Sequence, residues 1–317
     1  MTEPPAAPHE VPIVAVVGVT AGGKSDLGLD LAQGLGGEVV NADAMQLYRG
    51  MDIGTAKLPP DQRRGIPHHQ LDVLEVTEEA SVAAYQVAAR ADIAGIRSRG
   101  HVPILVGGSG LYVRAALDHL EIPPTDPAVR RRLEAEGEEL GAAAMFRRLA
   151  ELDPAAARQV QPNNLRRIVR ALEVIELTGR PFSASMPGRE FVSATVMLGL
   201  RVDRPVLVER IERRVDRMWD EGLLAEVEGL LEVGLRDGFT ASRAIGYSQA
   251  IAVVDGLLSP EEAREQTAQA TRRYARRQES WFRPDPRILW LDHDAPGLAA
   301  LAVGAVHAAA HGIPDNG

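Results

Sequence analysis

The segment GVTAGGKS, residues 18–25, constrains the fold more than any other feature of this sequence. It follows the apolar, β-branched run 11–17, which is typical of a buried parallel strand. It precedes residues 25–35, where leucines recur at helical spacing. A strand that enters a helix through the pattern Gly-x-x-x-x-Gly-Lys-Ser predicts a P-loop at the edge of a parallel α/β sheet.

The chemistry of this loop is specific for phosphate, although the pattern leaves the phosphate compound open. Its glycines let successive backbone N–H groups surround an anion, and the following helix presents its positive N-terminus to the same place. Lys24 adds a mobile cation, and Ser25 offers a hydroxyl to Mg²⁺, which makes Ser25 the predicted metal ligand. The predicted phosphate-binding residues are Gly18, Val19, Thr20, Ala21, Gly22, Gly23, Lys24 and Ser25.

Further strand and helix patterns alternate along the chain. Apolar runs at 38–40 and 102–106 predict strands, and the patterns at 82–96 and 110–117 predict helices. This alternation is typical of a doubly wound α/β core. Later predicted elements are a strand at 194–202, helices at 205–219, 223–233 and 260–281, and a strand at 288–291.

The middle of the chain interrupts this core. Residues 124–190 have helical patterns and no strand signal, which predicts an all-helical insertion in a P-loop NTPase-like parallel sheet. The first ten residues are rich in proline and polar side chains, which is typical of a flexible segment. The predicted boundaries are 11–123 and 191–292 for the core, 124–190 for the insertion, and 1–10 and 295–317 for flexible tails.

Composition excludes several classes of protein. The 317 residues include no cysteine, which excludes disulfides, thiol catalysis and cysteine-based zinc sites. No apolar run approaches the roughly 18 residues that a membrane span needs, and the first ten residues lack a signal-peptide pattern. We therefore expect a cytoplasmic protein without membrane contact. Nothing in the sequence calls for a partner subunit, so a monomer is expected.

The net charge of −9 argues against a nucleic-acid partner only when it is taken over the whole chain. Residues 1–127 and 218–317 carry net charges of −7 and −6, whereas residues 128–217 carry +4. A single arginine cluster is usually a solvated face, but several clusters beside a phosphate site favour a nucleic-acid backbone. The clusters lie at 130–132, 147–148, 166–170, 210–217 (Arg210, Arg213, Arg214 and Arg217, predicted to share one stripe) and 272–277.

Two polar residues follow predicted strands at the carboxyl edge of the sheet, where α/β sites form. Asp43 would hold Mg²⁺ or accept a proton from a nucleophile, or else cap a turn. Ser109 would reach a ligand or cap the following helix. The neighbouring His68 and His69 are predicted to have ordinary hydrogen-bonding roles rather than to bind a metal, since adjacent side chains point apart.

Seven blocks, in order, resemble the bacterial tRNA dimethylallyltransferase family, also called IPP transferases, over residues 11–292. Val19, Gly22, Ala44 and Ser109 replace the usual Pro, Ser, Ser and Thr of the family, and none of these changes removes an ionisable group, although Ala44 lacks a hydroxyl. The blocks are GVTAGGKS, NADAMQLYRGMDIGTAK, IPHHQLDV, ILVGGSGLY, NNLRRIVRALEVIELTGRP, RAIGYSQA and TRRYARRQESWFR.

The resemblance implies transfer of the dimethylallyl group of dimethylallyl diphosphate to N6 of adenosine 37 in tRNA, with diphosphate released and Mg²⁺ as cofactor. It implies that Asp43 takes the N6 proton, that Ser109 positions the site and that Arg214 clamps the diphosphate. The target base has to leave its stack, and the insertion would hold the anticodon stem-loop by its phosphates. The residues implied to contact tRNA are Asp43, Ala44, Met45, Gln46, Ser109, Arg130, Arg166, Arg167, Arg170, Arg243, Gly246 and Tyr247.

Three other classes of protein share parts of this pattern. A P-loop nucleotide kinase would transfer phosphoryl from ATP and consume it. An isopentenyltransferase that acts on free AMP would not need the basic insertion. A non-catalytic RNA-binding P-loop protein would tolerate Asp43→Asn without functional loss.

Overall fold

A computed structural model of the chain describes residues 11–185 and 188–310, so the predicted tail 1–10 lies outside the described residues. The chain divides into two compact units. The first comprises the residues up to 117 together with those from 191 onward, and the second comprises residues 118–190.

The elements of the described residues agree with the predicted ones except at their ends, and β3, α6, α10 and α12 were not predicted. The strands are β1 (Ile13–Val17), β2 (Gly37–Asn41), β3 (His68–His69), β4 (Val102–Gly107), β5 (Thr195–Arg201) and β6 (Ile288–Asp292). The α-helices are α1 (Lys24–Leu35), α2 (Val82–Ser98), α3 (Gly110–Leu117), α4 (Pro127–Leu140), α5 (Ala142–Leu152), α6 (Pro154–Ala157), α7 (Leu165–Thr178), α8 (Arg204–Asp220), α9 (Leu223–Glu232), α10 (Tyr247–Val254), α11 (Pro260–Phe282) and α12 (Leu298–Ala310). Short 3₁₀ helices lie at Ala44–Leu47, Pro60–Arg63, Phe182–Ser185, Leu235–Asp237 and Ala241–Arg243.

The first unit is built on a six-stranded parallel sheet with the strand order β3-β2-β4-β1-β5-β6. Strand β1 is buried along its whole length, as expected for a central strand of a parallel sheet that is covered on both faces. The predicted P-loop α/β core is therefore confirmed. Since β2, β4 and β1 are neighbours, the loops that follow them meet at one edge of the sheet.

The C-terminal segment departs from its prediction as a flexible tail. Residues 298–310 form α12, whose Ala302 and Val306 are buried in the same apolar cluster as Leu27 and Leu31 of α1. The small side chains of this alanine-rich segment allow the two helices to approach closely. The composition of the segment alone does not reveal this packing. The remaining residues of the predicted tail, 311–317, lie outside the described residues.

The second unit begins earlier than the predicted boundary at residue 124. The backbone N–H of His119 donates to Glu190 O at 3.0 Å, and the side chain of Arg170 donates to Pro123 O at 2.7 Å. These contacts attach residues 118–123 to the helical unit. The N–H of Val192 donates to Leu117 O at 2.8 Å, so the chain leaves the first unit and re-enters it at one place.

The helical unit has an apolar core of its own. Helices α4, α5 and α7 bury their apolar stripes against one another, as amphipathic helices of a small bundle do. The fully or nearly fully buried members of this core include Leu133, Met145, Leu149, Ile168 and Leu172.

Among the helices of the described ranges, none combines the length and the apolar character that a membrane span requires.

A buried carboxylate ties together the amino end of the sheet. Glu38, at the start of β2, accepts two hydrogen bonds from Arg99, at 3.0 and 2.7 Å, and contacts ring nitrogens of His101 and His69 at 2.7 Å. The hydrogen bonds from Arg99 lower the pKa of Glu38 to about 2 against the opposing effect of burial, and the two histidines add to the shift. Both histidines of the sequence pair make hydrogen bonds, since His68 Nδ1 contacts Ile66 O at 2.8 Å.

Replacing Glu38 with glutamine is expected to lower the free energy of unfolding at pH 7 by up to about 3 kcal/mol, because a folded-state pKa of about 2 lies well below the ordinary value of 4.5. Depression of a carboxyl pKa stabilises the fold above the unfolded-state pKa. The loss is therefore expected to shrink between about pH 5 and pH 2. Urea unfolding of both proteins across this range measures it. The exposed Glu265→Gln is the control, and a loss that does not change with pH would contradict the assignment.

Candidate active site

The P-loop lies between β1 and α1 at the carboxyl edge of the sheet. Gly18 and Gly23 adopt φ values of +136° and +93°, which only glycine adopts without strain. The N–H of Thr20 donates to the Oε1 atom of Gln278 at 2.8 Å. The loop conformation that the sequence pattern requires is thus present, and a side chain from α11 supports it.

Lys24 places a cation at this loop. Its Nζ atom donates to Val19 O at 2.7 Å, and burial lowers its pKa to about 8, with Asp43 opposing the shift and Arg214 adding to it. Within the described ranges, no carboxylate forms an ion pair with Lys24. A half-buried ammonium without a carboxylate partner is suited to an anionic ligand.

Asp43 follows β2 and caps the turn after it, one of the roles that the sequence left open for it. Its Oδ1 atom accepts from Met45 N at 3.0 Å and caps the 3₁₀ helix Ala44–Leu47. The side chain of Asn41 shapes the turn, since Asn41 Oδ1 accepts from Asp43 N at 2.9 Å and Asn41 Nδ2 donates to Asp43 O at 3.0 Å. Among the described residues, none donates a hydrogen bond to the second carboxylate oxygen, Oδ2, so this oxygen is available to accept a proton.

Ser109 follows β4 and turns toward Asp43. Its Oγ atom accepts from Ala44 N at 3.2 Å, so the hydroxyl supports the 3₁₀ helix that Asp43 caps. Tyr274 of α11 lies near Ser109 and Gln278, and burial raises the pKa of its phenol to about 12. Gln278 Nε2 also donates to Gly108 O at 3.0 Å. Helix α11 therefore connects the P-loop to the Ser109 loop, a role of Gln278 that sequence reasoning missed.

Arg214 of α8 completes the cationic side of the site. Its Nη2 atom donates to Thr55 O at 3.2 Å, and the same carbonyl accepts from Gln46 Nε2 at 3.1 Å. Burial lowers the pKa of Arg214, and the charge of the Asp43 carboxylate opposes that shift. In the part of the chain that the structure describes, Arg214 forms no ion pair. Two cations of the site, Lys24 and Arg214, thus interact electrostatically with one carboxylate.

The IPP transferase family model matches residues 46–285, well over half of the chain. The chain belongs to the IPP transferase family. A tRNA dimethylallyltransferase of Thermobifida fusca is 60% identical over 93% of this chain and 94% of that protein.

Solved structures of related proteins give the same result for the fold. A tRNA isopentenylpyrophosphate transferase of Bacillus halodurans matches with a TM-score of 0.69 at 40% identity over 95% of this chain and 98% of that one. A eukaryotic dimethylallyltransferase acting on tRNA matches with a TM-score of 0.80 at 28% identity over 96% of this chain and 81% of that one.

In this IPP transferase, the residues implied to contact tRNA in the first unit are partly accessible and partly buried. Ala44, Met45 and Gln46 are half-buried on their 3₁₀ helix. Arg243 is exposed, with its guanidinium carbon 3.6 Å from the ring centre of Phe239.

Gly246 and Tyr247, also implied to contact tRNA, are both buried. The Tyr247 side chain has no exposed surface because the ring packs inside the unit. Its hydroxyl donates to Glu226 Oε1 at 2.5 Å. The resemblance does not separate surface residues of a block from buried ones, and in this structure the Tyr247 side chain is part of the packing of the unit.

The arginines of the helical unit of this IPP transferase also divide into two groups. Arg130 and Arg170 bind the fully buried carboxylate of Glu173, both at Oε2, with shortest distances of 2.7 and 2.8 Å. Arg166 and Arg167 are exposed, and no carboxylate in the described ranges forms an ion pair with them. The first pair therefore stabilises the fold of the unit, whereas the second pair is free to meet a polyanion.

The predicted arginine stripe on α8 does not form a common surface. Arg214 points into the site, Arg210 contacts His293 Nδ1 at 3.1 Å, and Arg213 lies 3.6 Å from Glu209. Neighbouring positions of this amphipathic helix face different surroundings because one flank packs on the unit while the other meets water.

Proposed function

We propose that this chain transfers the dimethylallyl group of dimethylallyl diphosphate to N6 of adenosine 37 in tRNA and releases diphosphate. The observation that carries the proposal is that Asp43, with one carboxylate oxygen available, interacts electrostatically with Lys24 and Arg214, two cations without carboxylate partners. Membership of the IPP transferase family and the tRNA-acting enzymes among its relatives support it.

The cationic side of the site would act on the leaving group. As the allylic C–O bond breaks, negative charge builds on the bridging oxygen of the diphosphate. The Lys24 ammonium, the Arg214 guanidinium and the P-loop N–H groups would stabilise this charge more strongly in the transition state than in the bound donor. Desolvated cations suit this task because their interaction with an anion is stronger away from water.

Asp43 would act on the acceptor. The N6 amine of adenine is a weak nucleophile because its lone pair is delocalised into the ring. The Oδ2 atom of Asp43 would accept the N6 proton as the new C–N bond forms, while Oδ1 keeps its hydrogen bond to Met45 N and holds the carboxylate in place. Ser109 supports the same turn through Ala44 N. The target base has to leave its stack to reach this carboxylate.

The residues at the start of α1 fit a magnesium ion that is bound mainly through the diphosphate. Ser25 is exposed there and offers a hydroxyl oxygen. Within the described ranges, no cluster of three or more acidic or histidine side chains could hold a metal ion. Mg²⁺ is usually held by few protein ligands and by substrate phosphates. When bound, Mg²⁺ supplies additional neutralisation of the leaving diphosphate.

The tRNA would be held by exposed arginines through its phosphates and by the loop at the carboxyl edge of the sheet through the target base. Arg166, Arg167 and Arg243 are the exposed members of the implied contact set. The anticodon stem-loop is the part of tRNA that this proposal requires, and a single copy of the chain in the cytoplasm suffices for it.

Neutralising Arg166 and Arg167 together is expected to weaken tRNA binding and to reduce the slope of log affinity against log salt by about one to two, since each phosphate contact contributes somewhat less than one. Affinities for unmodified tRNA measured at several salt concentrations test this. Arg170→Ala is the contrast, because loss of its hydrogen bonds to Glu173 and Pro123 destabilises the helical unit instead. An unchanged slope in the double variant would remove these arginines from the tRNA interface.

The reaction itself is tested with the full chain, dimethylallyl diphosphate, Mg²⁺ and unmodified tRNA, followed by mass analysis of the nucleosides. The expected product is N6-dimethylallyl-adenosine at one position beside the anticodon, formed without consumption of ATP. Parallel reactions with free AMP and with ATP distinguish the alternatives. The proposal would be overturned if tRNA stays unmodified while AMP is prenylated or phosphoryl is transferred from ATP.

A further inference from the structure

A carboxylate outside the site holds the backbone of one of its loops. The segment MDIGTAK, residues 51–57, passes over α9, where Glu226 accepts hydrogen bonds from three consecutive backbone N–H groups. Glu226 Oε2 accepts from Asp52 N at 3.1 Å and from Ile53 N at 2.7 Å, and Glu226 Oε1 accepts from Gly54 N at 3.3 Å.

The fourth donor to this carboxylate is the Tyr247 hydroxyl, 2.5 Å from Oε1. The charge of Glu226 is stabilised by these donors, since no lysine or arginine of the described residues forms an ion pair with it. Burial, and after it the neighbouring carboxylate, raises the pKa of Tyr247, so the phenol keeps its proton and remains a donor. A Cβ atom on Gly54 would lie 2.5 Å from Tyr247 Cε2, which shows how closely the segment packs on the ring.

The segment is also held from its other side. The Nζ atom of Lys57 donates to Tyr48 O at 2.8 Å and to carboxylate oxygens of Asp52 and Asp72, each at 2.6 Å. The Lys57 side chain is 2% exposed, whereas those of Asp52 and Asp72 are 58% and 34% exposed, so the ammonium is buried and its carboxylate partners reach the surface. The backbone of residues 52–55 is therefore fixed at both ends.

This segment presents backbone carbonyl groups to the site. Thr55 O accepts from Arg214 Nη2 at 3.2 Å and from Gln46 Nε2 at 3.1 Å, and Ala56 O also accepts from Gln46 Nε2, at 3.5 Å. The guanidinium that would bind the leaving diphosphate and the Gln46 amide thus share the Thr55 carbonyl oxygen. That atom follows directly on the three residues whose N–H groups Glu226 holds.

We infer that Glu226 and Tyr247 are positioning residues for prenyl transfer. Glu226 holds the backbone of residues 52–54, Tyr247 orients the carboxylate, and the fixed Thr55 carbonyl sets the direction of Arg214. This role explains why a buried tyrosine belongs to a block that the family resemblance assigns to tRNA contact. The inference rests on the proposed function for its effect on rate, whereas its structural part stands independently of that function.

The structural part is tested by hydrogen exchange of the full chain. In Glu226→Gln, one acceptor oxygen becomes an amide group that cannot accept, so exchange of the N–H groups of residues 52–54 is expected to accelerate at least tenfold. The strand amides of β1 are expected to exchange as before. The matched control is Glu228→Gln, an exposed position of the same helix. Unchanged protection at residues 52–54 would overturn the inference whether or not the chain transfers prenyl groups.

The effect on the reaction is tested by a double-mutant cycle on the single-turnover rate with saturating donor and tRNA. Glu226→Gln is expected to slow transfer by about 10- to 100-fold in the natural background, because small misplacements of a reacting group cost this much. In an Arg214→Lys background, the same change is expected to slow transfer less than threefold. A purely structural loss would multiply the rate by the same factor in both backgrounds, and that result would overturn the positioning role.

Tyr247→Phe is the second variant, for use if Glu226→Gln does not fold. It removes one donor and keeps the ring that packs on Gly54. It is expected to slow single-turnover transfer severalfold with tRNA affinity unchanged. Weakened tRNA binding at an unchanged rate would instead assign Tyr247 to RNA recognition and contradict the inference. If the unaltered chain modifies no tRNA, the proposed function fails, while the exchange result still decides the structural part.

Discussion

Asp43→Asn is expected to lower the rate of prenyl transfer by a factor of about 10²–10⁴, the range for loss of a positioned acid–base group. Asparagine keeps an oxygen that can accept from Met45 N, so the 3₁₀ helix keeps its cap. What it loses is the negative oxygen that accepts the N6 proton. Single-turnover rates with modified nucleoside as the product measure the effect.

The binding steps separate this outcome from a general loss of structure. Affinities for tRNA and for dimethylallyl diphosphate are expected to stay within a few-fold of those of the unaltered chain. Asp61→Asn, at an exposed carboxylate, is the control and is expected to leave the rate unchanged. Near-normal turnover of Asp43→Asn would remove Asp43 from the chemistry.

Lys24→Met is expected to lower kcat by about 10²–10³, the loss typical of removing one donor that stabilises developing negative charge. Methionine has nearly the same length and no charge. Since burial already disfavours the charged form of Lys24 and lowers its pKa to about 8, the fold is expected to become no less stable. Steady-state kinetics together with urea unfolding of the variant test both parts.

The second lysine provides a matched contrast, because Lys24 and Lys57 are the only lysines of the chain. Lys57→Met would leave the buried Tyr48 carbonyl without its donor and the partly exposed Asp52 and Asp72 without their cation, and a loss of about 1–3 kcal/mol in the free energy of unfolding is expected. Lys24→Met is therefore expected to lower the rate, and Lys57→Met is expected to lower the stability of the fold. Equal losses of stability would contradict the assignment of Lys24 to the ligand.

The parts of the site that the sequence predicts are those that follow from local pattern and sheet topology. The P-loop depends on neighbouring residues, and Asp43 and Ser109 each follow a strand whose apolar run is recognisable. Once parallel strands are predicted, their carboxyl ends have to meet at one edge. The sequence alone therefore predicts the fold class, the P-loop and the meeting of these residues at one edge of the sheet.

The parts that the sequence does not predict depend on contacts between distant segments. Gln278 and Thr20 are separated by 258 positions, and Glu226 and Gly54 by 172. The sequence around a glutamine or a glutamate on a helix does not indicate whether its side chain is buried. The same limit applies to arginine, since Arg170 in a buried ion pair and Arg167 in water are indistinguishable by residue type or spacing. Only packing decides which of them faces a ligand.

The chain leaves the first unit after Leu117 and re-enters it before Val192, and these two residues are neighbours. This arrangement has an evolutionary consequence. Every residue assigned here to bond making and bond breaking belongs to the unit that surrounds this junction, and none belongs to residues 118–190. A gene segment for the helical unit could thus be acquired, exchanged or lost in one event without cutting a strand of the sheet. Sequence changes within residues 118–190 would then leave the strands and the loops of the first unit as they are.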